Sequence, residues 1–118
     1  MTDRELLKRA AKAAGIELKW DGDFPCRIKR SGNSQAWNPL EDDGDALRLA
    51  VKLGISITPY PIYNSKARHS VVAKQRRLSD TLREANPTEV IELYEGSPAK
   101  ATRRAITRAA AAIGKAMQ

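Results

Sequence analysis

The segment from Ser97 to Gln118 most constrains the fold, because it reads as one amphipathic helix with a sorted surface. At roughly 100° per residue, Lys100, Arg103, Arg104, Arg108 and Lys115 fall within about 140° of arc. Ala101, Thr102, Ala105, Ile106, Ala109, Ile113, Ala116 and Met117 take most of the opposite side. One face is built to pack and the other to carry positive charge. No Asp or Glu follows Glu95, so no acid at i,i+4 neutralises these cations within the helix. Lys115 also complements the helix dipole, which does not account for the arginines near the start. Two readings of the basic face follow: a solvated surface that keeps the protein soluble, or a surface for an anionic partner.

At 118 residues the chain is one domain, 1–118, and is long enough to bury a core without staples. Its 42% hydrophobic and 30% charged residues exclude a disordered chain. The net charge of +7 favours nucleic acid, nucleotides, acidic protein surfaces or anionic membranes as partners. Cys26 is the single cysteine, so no intramolecular disulfide, cysteine zinc finger or iron–sulfur site is available. A lone thiol suits a reducing cytosol. No apolar run approaches the roughly 18 residues of a membrane span. Asp3 and Glu5 interrupt the start, which reads as a helix and not as a signal peptide. A cytoplasmic protein is the expectation.

Thr2 and Glu5 form a T-x-x-E capping box for a helix from Thr2 to Ala14, with Gly15 as its C′ residue and Ile16 as the accompanying apolar contact. Glu17 to Trp20 and Cys26 to Lys29 alternate as strands around the turn residues Asp21, Gly22, Asp23 and Pro25. Gln35 to Trp37 is a brief third strand. A second helix starts either at Asn38-Pro39 or at Asp42 or Asp43, packs through Leu47, Ala50 and Val51, and stops at Gly54. Ile55 to Tyr63 is a strand whose Pro59 and Pro61 place it at an edge or break it. His69 to Gln75 is a further strand. Arg76 to Pro87 is polar, with a short helical turn around Asp80 to Ala85. Val90 to Tyr94 leans to strand, and Ser97-Pro98 starts the last helix. This order predicts an α+β domain, with about three to five antiparallel strands in one sheet against two or three helices. Leu6, Leu7, Ala10, Leu47, Val51, Ala105, Ile106, Ala109 and Ile113 are the expected core, with Trp20 and Trp37.

The chemistry-bearing residues point to binding and not to catalysis. Glu41, Asp42, Asp43 and Asp45 do not match an EF-hand loop and read as compensation of a helix dipole. His69 is the single histidine and sits in a basic segment without triad partners. Neither glycine-rich phosphate loop is present. Asn64 to Arg83 holds Lys66, Arg68, Lys74, Arg76, Arg77 and Arg83 against the one acid Asp80, with Tyr60 and Tyr63 just before. Cations beside aromatics clamp phosphates while a ring stacks on a base. The ligand-binding candidates are therefore Arg103, Arg104, Arg108, Lys66, Arg68, Arg76, Arg77, Tyr60 and Tyr63. No catalytic residue, metal ligand or cofactor is expected, and the three helix arginines should be exposed.

Trp37-Asn38-Pro39-Leu40, then Asp42-Asp43-Gly44-Asp45-Ala46-Leu47-Arg48-Leu49-Ala50-Val51, then Ala101-Thr102-Arg103-Arg104-Ala105-Ile106 with Arg108-Ala109-Ala110 form a pattern. It resembles a group of small phage and prophage proteins, and the segment from Glu5 to Ile16 fits it too. The resemblance implies phage origin and an accessory role in the host-cell cytoplasm, and carries over no functional residue. It favours a binding protein that inhibits a host function, in particular a defence system. Such an inhibitor captures an anionic nucleotide signal or blocks a nucleic-acid-binding effector. The alternatives are direct nucleic-acid binding as a phage accessory protein, and a scaffold whose alanine-rich last helix packs on a copy of itself as a homo-oligomer.

Overall fold

Local capping chemistry sets where the helices begin and end. The computed structural model describes residues 2–60, 69–75, 89–94 and 96–117. Helix α1 runs Asp3–Ala14, and the Thr2 hydroxyl accepts the Glu5 N–H at 3.2 Å. Gly15 follows in the left-handed region at φ 70°, which lets the Ile16 N–H reach back to the Ala11 carbonyl at 2.9 Å. Helix α2 runs Asp43–Leu53, so of the two expected starts the later one holds. The Asp42 carboxylate caps it by accepting the Asp45 N–H at 2.8 Å. Asn38 instead makes a turn, its Oδ1 accepting the Leu40 N–H at 3.0 Å. Helix α3 runs Pro98–Ala116, with the Ser97 hydroxyl on the Lys100 N–H and Pro98 in the first turn.

Among the described residues, six strands lie between these helices: β1 (Leu18–Asp21), β2 (Phe24–Ile28), β3 (Ser34–Ala36), β4 (Ile55–Tyr60), β5 (His69–Gln75) and β6 (Glu89–Tyr94). The α+β class is as the sequence predicts. The strands, however, divide between two antiparallel sheets, β1-β2-β3 and β4-β5-β6, and do not form one. Each sheet packs on the core beside different elements. Leu18 and Trp20 of the first sheet pack on the core beside α1, while all three strands of the second contact α3. Pro59 sits on β4, an edge strand, where its missing N–H leaves no gap in the ladder. The segment left between strand and helix is β6, paired with β5 from Lys74↔Glu89 to His69↔Tyr94. The expected turn around Asp80 to Ala85 lies outside the described residues.

Helices α1 and α3 run side by side in the same direction. Asp3 meets Arg104 near their N-terminal ends. Gly114 lies against Arg9 further along, and the Lys12 ammonium donates to the Met117 carbonyl near their C-terminal ends. Their seam is made of small side chains: Ala10, Ala11 and Ala14 from α1, Ala105, Ala109 and Ala110 from α3, all buried. At Gly114 the approach is closest. A Cβ built there would run into the Arg9 carbonyl oxygen. Parallel dipoles repel, and the cations Lys8, Lys12 and Lys115 toward the two C-terminal ends offset part of that repulsion.

Leu6, Leu7, Ala10, Ala105, Ile106 and Ala109 are buried as expected, and so is Trp37. Trp20 is half-buried, as is Ile113. Two expected core residues are wrong: Leu47 is 60% exposed and Val51 73% exposed. Helix α2 carries two apolar stripes, Leu47 with Val51, and Ala46 with Leu49, Ala50 and Leu53. The second offers more apolar surface to the core. It also turns Asp43 toward Arg103 of α3.

The seam fixes two outcomes for thermal or urea unfolding. Gly114→Ala overpacks the contact with Arg9 and lowers stability by about 1–3 kcal/mol. Gly96→Ala, with nothing within 4 Å of the new Cβ, leaves it nearly unchanged. Ile106→Ala costs about 2–5 kcal/mol and the half-buried Ile113→Ala distinctly less.

Candidate functional site

The arginines of α3 find their acids on other elements. Arg103 donates through Nη1 to Asp43 at 2.7 Å and through Nε to the Leu40 carbonyl at 2.9 Å. Its side chain is only 17% exposed. Arg104 bonds Asp3 of α1 at 3.0 Å and lies 3.8 Å from Glu92 of β6. Arg108 pairs with Glu92 as well and donates to the Ile91 carbonyl at 3.3 Å. Glu92 is 17% exposed, on the face of β6 turned to α3, where one carboxylate holds two guanidiniums. The three arginines are therefore compensated, against expectation, and Arg103 is largely covered, while the Arg104 and Arg108 side chains remain 36% and 40% exposed. The missing i,i+4 acids are supplied by tertiary neighbours, which no reading of one helix reveals.

Lys66, Arg68, Arg76, Arg77 and Tyr63 lie outside the described set, as does the side chain of Tyr60, whose backbone ends β4. Arg68 and Arg76 flank β5 in the sequence. His69 opens that strand. Cys26 is a half-buried free thiol in the central strand of the first sheet. The acids at the start of α2 have structural tasks. Asp42 caps, Asp43 holds Arg103, and Asp45 accepts the Asn38 N–H at 2.9 Å and Arg48 at 2.7 Å.

A different constellation converges where α1 begins. Asp3 from α1, Asp23 from the β1–β2 turn and Glu41 from the turn before α2 rim a cavity of about 260 Å³. Leu7, Trp20, Pro25 and Leu40 supply its apolar lining. The Arg4 guanidinium lies 4.0 Å from the centre of the Trp20 ring, a cation–π contact at the same cavity. Phe24, beside Asp23, is 74% exposed. Carboxylates on such a rim suit a basic group, whose charge meets Asp23 and Glu41 and whose apolar stem lies along Leu7, Pro25 and Leu40, the Trp20 ring being taken by Arg4. The sequence carries a signal for this site that motif reading passes over. Nine of the fourteen acids lie before residue 46, in a chain that is basic overall.

Among the described residues, no group of three or more His, Cys, Asp or Glu is arranged to hold a metal ion, and no helix is long and apolar enough to cross a membrane. The chain matches no family model, no curated protein and no solved structure.

Engaged arginines change what their removal does. Arg103→Ala strips the Leu40 carbonyl of its donor and lowers stability by about 1–3 kcal/mol. The fully solvated Lys100→Ala stays within roughly 0.5 kcal/mol of the parent. Urea denaturation of the two variants separates a fold-holding arginine face from a solvated one. Equal midpoints would return the face to solvent.

Proposed function

We propose that this chain is a small phage-encoded binding protein, not an enzyme, that inhibits a host function by blocking a nucleic-acid-binding effector. The observation that supports this reading is the placing of Asp23 and Glu41 on the rim of the Trp20 cavity, beside Asp3, which Arg104 holds. An effector that binds nucleic acid presents a groove of Lys and Arg spaced for phosphates. Carboxylates held on a rigid rim engage the same cations, and the apolar floor adds contacts that phosphates do not offer. Phage origin and a defence target come from the resemblance of the sequence pattern, a fold-independent association. Capture of an anionic nucleotide draws less support, because Asp3, Asp43 and Glu92 already occupy the arginines it needs.

The test is competition between this protein and duplex DNA for purified defence nucleases that carry basic grooves, at low and high salt. The parent protein displaces DNA from its target, and added salt weakens the displacement. Asp23→Lys with Glu41→Lys, both on exposed positions, reduces inhibition at least tenfold with no loss of fold. Should the double variant inhibit like the parent, the acidic cavity is not the contact. Salt-dependent binding of the parent to DNA alone favours direct nucleic-acid binding instead, and binding of cyclic oligonucleotides alone favours nucleotide capture.

A further inference from the structure

The cavity at the start of α1 already holds one cation of its own chain. The Arg4 guanidinium lies over the Trp20 ring, 4.0 Å from its centre, and Trp20 packs on the core. Arg4 forms no ion pair among the described residues, although three carboxylates rim the same cavity. Of these, Asp3 is held by Arg104 at 3.0 Å. Asp23 and Glu41 take neither an ion pair nor a side-chain hydrogen bond among the described residues. The uncompensated charge of the cavity is thus on Asp23 and Glu41, on two separate turns, while the ring is covered.

That division discriminates between the two basic side chains. Arginine surpasses lysine where it can lay its plane on an aromatic face or fork onto one carboxylate. Here the ring is covered, and a second guanidinium brought to it meets the like charge of Arg4. A fork onto one acid leaves the other without a partner. An ammonium is a compact charge whose three donors turn freely, so it serves carboxylates that stand on separate segments. Its apolar stem lies along Leu7, Pro25 and Leu40. Given the proposed contact of this cavity with a basic partner, on which this rests, we infer that the cavity receives a lysine side chain of that partner and that Arg4 is the residue that excludes arginine.

The test is an NMR titration of the isotope-labelled protein alone with two end-blocked glycine pentapeptides, one with a central lysine and one with a central arginine. The lysine peptide shifts the Trp20 indole N–H and the amides of Asp23 and Glu41, while the indole of buried Trp37 stays in place. The arginine peptide binds roughly two- to fivefold more weakly, the worth of the ring it cannot reach. Arg4→Ala, on an exposed position, opens the ring and removes or reverses that preference. Asp23→Asn with Glu41→Gln, both exposed, abolishes the lysine response and leaves the rest of the spectrum unchanged. Equal affinity for the two peptides in the parent overturns the inference. So does a preference that survives Arg4→Ala, or a parent that does not respond to the lysine peptide. A parent that prefers lysine yet never displaces DNA from an effector keeps this inference and loses the inhibitor reading. One that displaces DNA without preferring lysine keeps the inhibitor reading and loses this inference.

Discussion

The close parallel contact between α1 and α3 is the constraint on which the rest of the structure depends. Alanines and Gly114 let the two helices approach until backbone meets side chain. That approach buries Ala10, Ala105 and Ala109 completely. It also brings Asp3 within reach of Arg104. From there the ion pairs spread outward, to Asp43 on α2 and Glu92 on β6. A larger side chain at Gly114 would push the helices apart and stretch these pairs together.

Much of the secondary structure was legible because its signals are local. Thr2, Asp42 and Ser97 cap the helices through their own neighbours, and Gly15 ends one through its own backbone. Pro59 marked an edge strand for a reason that holds in any context. The failures are tertiary. Two stripes compete on α2, and only the position of α3 decides between Leu47 with Val51 and Leu49 with Leu53. The arginines of α3 looked unpaired because their acids come from α1, α2 and β6. The cavity at Asp3, Asp23 and Glu41 was invisible for the same reason, since each acid lies on a different segment.

Net charge is a poor guide to which surface meets a partner here. A basic chain invites a search for phosphate clamps, and the most conspicuous arginines prove to be fastened to acids of other elements. Ion pairs of this kind add modest stability where solvent reaches them. What they fix is position: Arg103, held to the Leu40 carbonyl as well as to Asp43, ties the turn before α2 to α3. That turn carries Glu41, so a basic residue helps to present an acidic one.

The pairing of α1 with α3 has a consequence for how the chain acquires its structure. Asp3 and Arg104 are 101 residues apart in sequence, so their meeting closes nearly the whole chain into a loop. Closing a loop of that length costs on the order of 4 kcal/mol of chain entropy before any contact in the seam repays it. Contacts this distant in sequence slow folding. On a ribosome the apolar face of α1, with Leu6 and Leu7, emerges before α3 and waits for it. The core of this domain is therefore completed only once α3 has been made, and until then α1 is a ligand for any chaperone that recognises apolar helices.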